Sequence, residues 1–214
     1  MTRPSLFGRL GRVIRTKGYG VHVAWGPAGW FTQRALAGGG SMADMGVHAV
    51  DTARFLLGDP RPVSVYARIG THYGDFDVDD TGLIMVNWQD GSTSYFESGW
   101  WQPHADGPCA GTQIYGTAGF GQVFPTYLEL MQLNPTQRER VESGYPAQEK
   151  WGAPQAMYDA QLAHFVDCIR SGRQPGPDGE VGLVNMQIVD AAYESAGRDE
   201  VVRLWRHRIC LNHL

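Results

Sequence analysis

The run "TGLIMVNWQDGSTSYFESGWW" at residues 81–101 decides what kind of fold this chain adopts. Two stretches rich in β-branched and aromatic residues flank Asp90–Gly91, a dipeptide that predicts a two-residue hairpin turn. Gln89 then faces Ser92, and pairing runs outward along both strands. In that register Ile84, Val86, Trp88 and Tyr95 share one face, while Leu83, Met85, Phe96 and Trp100 share the other. Both faces read as apolar, so the sheet is expected to be covered twice. Helices can cover one side; the other calls for a second subunit, giving a homodimer or a larger even-numbered assembly through a two-fold sheet contact.

Working outward, "VSVYARIG" (63–70) alternates like a half-buried strand, "RVIRTKGYGVHV" (12–23) reads as a strand interrupted by glycine, and "TQIYGTAGFGQVFP" (112–125) as a second hairpin. "AWGPAGWFTQRALAGGG" (24–40) reads as a loop. Near the C-terminus, "MYDAQLAHFVDCIRSG" (157–172) carries Leu162, Phe165, Val166 and Ile169 on one helical face. "EVGLVNMQIVDAAYESAG" (180–197) does the same with Val181, Val184, Ile188 and Ala192, and "EVVRLW" (200–205) is a terminal strand candidate. With no repeat or linker, residues 1–214 are expected to form one α+β domain, a large open sheet with helices on one face.

The chain has 214 residues, 43% of them hydrophobic, and a net charge of −4. That is enough for one sizeable core in a soluble protein. No stretch approaches the roughly 18 apolar residues of a membrane span, and "MTRPSLFGRLGRVIR" has no apolar secretory segment, so a cytoplasmic address is expected. Mild acidity argues against nucleic acid as a partner, and "WRHR" (205–208) is too short to alter that. Cys109, Cys168 and Cys210 form no CxxC pair, and no metal site is assigned.

Chemistry concentrates in "GGGSMADMGVHAVD" (38–51), which runs into an apolar helix ending at "LLGDP". Ser41 and Asp44 have capping-box spacing, and Gly58 is placed for a C-cap. Met42, Ala49, Ala53, Leu56 and Leu57 fall on one side of the helix; Asp44, His48 and Asp51 fall together on the other. A charged helix face is ordinarily just solvated. The same spacing also sets one imidazole between two carboxylates, which can orient it for proton transfer near neutral pH, and three preceding glycines suit close backbone approach by a ligand.

"GGGSMADMGVHAVDTARFLLGDPRPVSVYA" (38–67) resembles the signature stretch of the Gfo/Idh/MocA oxidoreductases. "IYGTAGFGQV" (114–123) and "FVDCIRSGRQPGPDGEVGLVNMQIVDAAYESA" (165–196) resemble later segments of that family in the same order. The resemblance spans about Gly8 to Leu204. It implies a C-terminal domain with a large, mostly antiparallel sheet, helices on one face and oligomer contacts on the other. It also implies NAD- or NADP-dependent oxidation or reduction of a sugar, polyol or related hydroxy/keto compound. Asp44 and His48 match the family's substrate-site Asp and His, with His48 exchanging a proton and Asp44 orienting it or holding substrate. Asp51 is a supporting candidate and Trp30 a candidate apolar wall for the ring.

Family members begin with a Rossmann domain and a Glu-Lys-Pro stretch, neither of which is seen here. There is no GxGxxG after a strand, and Lys17 and Lys150 sit in no such motif. The expectation is a substrate-binding and oligomerisation domain that does not bind NAD or NADP alone. The alternative is a non-catalytic assembly partner of a full-length oxidoreductase; an isomerase or lyase using the same His and Asp is a third reading.

Overall fold

The computed structural model describes residues 7–103, 110–123, 126–133, 136–142 and 155–204. Cys109, Lys150, Cys210 and the 205–208 run lie outside the described residues. A 3-10 turn, Phe7–Leu10, leads into β1 (Val13–Val23). A short 3-10 turn (Gly29–Thr32) and one α turn, α1 (Arg34–Ala37), occupy the loop that follows. After a π-helical turn, Met42–Gly46, come α2 (Val47–Leu57), β2 (Pro62–Gly70), β3 (Thr81–Trp88) and β4 (Thr93–Gln102). The sheet continues with β5 (Ala110–Gly116), β6 (Gly119–Val123), β7 (Tyr127–Leu133) and β8 (Thr136–Glu142). Helices α3 (Gln155–Ser171) and α4 (Gly179–Arg198) and the two-residue β9 (Val202–Arg203) complete it.

Nine strands form one sheet in the order β8-β7-β6-β5-β1-β4-β3-β2-β9. Every neighbouring pair is antiparallel except β1 with β4. Helices α2 and α4 lie on one face. Ala49, Val50, Ala53 and Leu57 of α2 and Ile188, Val189 and Ala192 of α4 pack there with Val65, Ala67, Ile84, Val86, Trp88 and Phe96. A second cluster of Phe7, Leu10, Leu56, Ile114 and Leu128 closes the β5–β7 side. The apolar side predicted for the first helix is therefore the buried one, and Gly58 caps it in the left-handed conformation.

The hairpin register differs from the expected one by a single residue. Ile84 pairs with Phe96 and Val86 with Ser94. The turn holds three residues, Gln89–Asp90–Gly91: Trp88 N donates to Ser92 O at 3.0 Å, and Asp90 Oδ1 accepts from the Ser92 amide and hydroxyl. Gly91, at φ +83°, takes the left-handed position that such a loop demands. Because side chains alternate with period two, this slip exchanges the faces of β4. Phe96 and Trp100 join Ile84, Val86 and Trp88 under the helices, where the Trp88 indole donates to Ser94 Oγ at 2.7 Å. Tyr95 moves to the outer face with Leu83 and Met85. The sheet thus has one apolar, covered face and one mixed face, and not the two apolar faces expected.

That outer face carries a row of stacked groups. The Arg15 guanidinium lies 3.8 Å from the Tyr115 ring centre, Tyr115 stacks on Phe120, Phe120 meets Tyr127 edge-on, and Arg140 lies 3.8 Å from the Tyr127 ring centre. A second difference concerns α3. Its apolar stripe of Leu162, Phe165, Val166 and Ile169 is exposed, and only Cys168 is buried among its residues.

Candidate functional site

Asp44 sits inside the π turn, where Val47 N reaches back to Met42 O. The turn is wedged between two strands. A Cβ on Gly20 of β1 would lie 2.5 Å from the Met45 carbonyl oxygen, and one on Gly46 would lie 3.2 Å from Ser98 Cβ of β4. Glycine at those positions lets the helix start touch the sheet, and single π turns of this kind recur at functional sites. Asp44 is half-buried, and its Oδ2 accepts from the buried Trp100 indole at 2.9 Å.

Ser41 does not cap this helix. Its own backbone is helical and it makes no side-chain cap bond. The cap comes from Asp79, just ahead of β3, whose carboxylate accepts from Gly40 N (2.8 Å), Met42 N (2.8 Å), Ser41 Oγ (3.0 Å) and Tyr193 Oη (2.7 Å). Burial, and then the Asp79 carboxylate, push the Tyr193 hydroxyl pKa up, so it stays a donor. A four-donor shell around one buried acid fixes where the residues up to Asp44 begin.

His48 follows Asp44 by four residues and is exposed. Among the described residues no hydrogen bond or ion pair joins its ring to Asp44 or Asp51, so the imidazole held between two carboxylates is not formed. The carboxylates diverge because each has a better-placed partner. Asp51 Oδ1 accepts from Asn185 Nδ2 of α4 at 2.7 Å, and Asn185 Oδ1 accepts from the buried Arg54 at 2.5 Å. That chain ties α2 to α4. Trp30 is 53% exposed and stacks on Phe31 at 3.9 Å, with no bond to Asp44 or His48.

One residue near Asp44 escaped the sequence reading. His22 lies on the same side of β1 as Gly20, two residues beyond the point where the π turn touches. Burial lowers its pKa, and the Asp44 charge partly opposes that. Alternation from Gly18 and Gly20 to His22 was the available signal. The described residues also line an open pocket of about 280 Å³ beside Asp79, Tyr193 and Arg34, to which neither Asp44 nor His48 contributes. No group of three or more His, Cys, Asp or Glu among the described residues could hold a metal ion. No helix among them is long and apolar enough to cross a membrane.

Residues 7–120 match the model of the GFO/IDH/MocA C-terminal domain, more than half of the chain. The chain belongs to this family. Among its relatives, the 1,5-anhydro-D-fructose reductase of Ensifer adhaerens is 27% identical over 202 residues, covering 92% of this chain and 57% of that protein. The D-glucoside 3-dehydrogenase of Escherichia coli (strain K12) is 25% identical over 211 residues, covering 88% and 56%. Among solved structures, the aldose-aldose oxidoreductase from Caulobacter crescentus complexed with glycerol superposes with TM-score 0.71 at 27% identity, over 92% of this chain and 57% of that one. Levoglucosan dehydrogenase in complex with NADH gives TM-score 0.76 at 22% identity, over 92% and 60%. This member of the GFO/IDH/MocA family thus spans somewhat over half the length of these sugar oxidoreductases.

The three glycines before the helix were read as suiting close backbone approach by a ligand, and a pyrophosphate binds unoccupied amides at a helix N-terminus. Here the Gly40 and Met42 amides are given to Asp79, and a Cβ on Gly40 would lie 1.9 Å from the Asp79 carbonyl oxygen. These two amides serve an internal carboxylate cap and do not fit a pyrophosphate.

Proposed function

We propose that this chain is the substrate-binding part of a nicotinamide-dependent oxidoreductase acting on a sugar, polyol or related hydroxy/keto compound. The observation that carries this is Asp44, fixed by Trp100 at the wedged helix start, with exposed His48 about one turn later inside the matched family segment. His48 accepts the proton of the reacting hydroxyl, or returns it in reduction, and its side chain is exposed for that role. Asp44 is held by its indole bond and fixes a substrate hydroxyl or the approach of His48. It does not need to touch the ring in the ligand-free chain, since catalytic hydrogen bonds often tighten only on binding. The dinucleotide is bound outside the described residues.

We further propose that the outer sheet face makes the oligomer contact. The exposed Leu83 and Met85 beside the Arg15–Tyr115–Phe120–Tyr127–Arg140 row support it, since aromatic, Met and Arg side chains are enriched at interfaces. Calorimetric titration tests the division of labour. The chain alone should show no appreciable heat with NADH or NADPH, and micromolar binding, about −8 kcal/mol, would contradict it.

A further inference from the structure

Helix α3 is fastened to the chain by its less apolar side. Cys168 is buried, with its Sγ 3.8 Å from the Gln174 carbonyl oxygen, and His164, one turn earlier, accepts from the Gly176 amide at 3.2 Å. Those two residues lie roughly a third of the way around the helix from the centre of its apolar stripe. The stripe itself faces outward: Tyr158, Leu162, Phe165 and Ile169 are each 50–66% exposed.

These four residues follow one another at intervals of four, three and four. Such alternation keeps one narrow seam facing another helix, whereas a helix lying on a sheet carries a wider stripe, like the Ala49, Val50, Ala53 and Leu57 face of α2. Two opposite charges flank the seam on one side. Asp159 stands towards its N-terminal end and accepts at Oδ1 from Gln155 of the same helix. Arg170 stands towards its C-terminal end, and among the described residues no hydrogen bond or ion pair engages its guanidinium. Asp167, by contrast, is already paired with Arg173.

A second copy of this helix satisfies the seam and the charges together. Run antiparallel about a two-fold axis between residues 163 and 164, Tyr158 meets the partner's Ile169 and Leu162 meets the partner's Phe165, so that every layer sets an aromatic ring against an aliphatic side chain. The same register brings Asp159 within about 3 Å, measured along the axis, of the partner's Arg170, and symmetry repeats the pair. A parallel arrangement would leave them about 16 Å apart and would align the two helix dipoles. We infer that α3 is a self-association surface, pairing antiparallel with the α3 of a second copy through the Tyr158, Leu162, Phe165 and Ile169 seam and two Asp159–Arg170 ion pairs. This contact is separate from the outer-face contact and does not depend on the oxidoreductase reading. One seam of four layers is small for a specific interface, so the association is weak, with a Kd on the order of 100 µM.

The test is sedimentation equilibrium of the full chain from about 5 to 500 µM, both in the wild type and in Leu83→Lys with Met85→Lys, which removes the outer-face contact. The double-lysine chain should be monomeric at the dilute end and mostly dimeric at the concentrated end, and the wild-type mass should rise over the same range. Asp159→Arg or Arg170→Asp alone should weaken this association about tenfold, and the two together should restore it to within about threefold. Leu162→Lys should abolish it, with circular dichroism showing that each variant folds. A mass that does not rise with concentration in either chain, or a dimer that Leu162→Lys leaves intact, would overturn the contact. So would a monomer in which Leu162→Lys instead weakens capture of a cofactor-binding half from a family relative, since the stripe would then belong to that half.

Discussion

Removing the Asp79 carboxylate should damage the start of α2 more than any change on its exposed face. Asp79→Ala deprives four donors at once: the amides of Gly40 and Met42 and the hydroxyls of Ser41 and Tyr193. The hydroxyls can turn elsewhere, and the Gly40 amide retains Tyr193 Oη at 3.1 Å. The Met42 amide belongs to a fully buried residue and keeps nothing. The orphaned Met42 amide is itself the lost cap bond and costs ~1–3 kcal/mol, and the three other bonds to the charged carboxylate add ~2 kcal/mol. The sum is about 3–5 kcal/mol, a large share of the roughly 5–15 kcal/mol that holds a domain folded. In urea, with a slope of about 2–3 kcal/mol per M, the midpoint should fall by about 1–2 M at constant slope. Asp79→Asn keeps one acceptor oxygen and should lose about half as much. A loss below about 1 kcal/mol for Asp79→Ala, followed by circular dichroism, would show that the carboxylate does not organise this helix.

Gly20→Ala puts a methyl 2.5 Å from the Met45 carbonyl oxygen, so the π turn must shift; a loss of about 1–3 kcal/mol is expected in thermal melts, and an unchanged melt would mean the wedge is slack. Acidification should also weaken the fold through His22. Its folded pKa lies below the unfolded 6.5, so the unfolded chain binds the extra proton and stability falls as pH drops from about 6.5 toward the folded value. Asp44 opposes the shift, and His22→Gln should flatten this part of the pH profile measured by urea unfolding; an identical profile in both proteins would refute it. For assembly, Leu83→Lys with Met85→Lys should convert an oligomer to a folded monomer in light scattering, and an unchanged mass would move the contact off the outer face.

Local pattern made much of this fold legible. The Ala49, Ala53, Leu57 stripe and Gly58 placed α2 because both the buried face and the stop lie within one helix. The 81–101 hairpin was visible, but its register hung on whether Gln89 belongs to the turn. One residue decided the face of Phe96 and Trp100, and with it the apparent need for two apolar covers. Asp79 could not be recognised as the cap of a helix 38 residues earlier, since only the folded sheet brings it there. The β7–β8 hairpin went unread because β8 is almost wholly exposed and its alternation carries charge. The α3 stripe shows the converse limit: periodicity identifies the apolar face of a helix without saying what meets it. At the site, Asp44 and His48 stood out by spacing, yet the partners that hold Asp44 and Asp51, Trp100 and Asn185, are contributed by distant strands and helices.

The most direct measurement supplies the chain with a cofactor-binding half from a family relative and compares nicotinamide-dependent turnover of a sugar by the wild type, His48→Ala and Asp44→Ala, alongside urea unfolding of each chain. His48 is exposed, so the midpoint of His48→Ala should change little, whereas Asp44→Ala leaves the buried Trp100 indole without its acceptor and should lose about 1–3 kcal/mol while still folding. Turnover should fall by ~10²–10⁴, the usual cost of losing a general acid or base, most steeply for His48→Ala. Wild-type turnover in either variant, or loss of folding in both, would contradict the claim that this helix start is the reaction site.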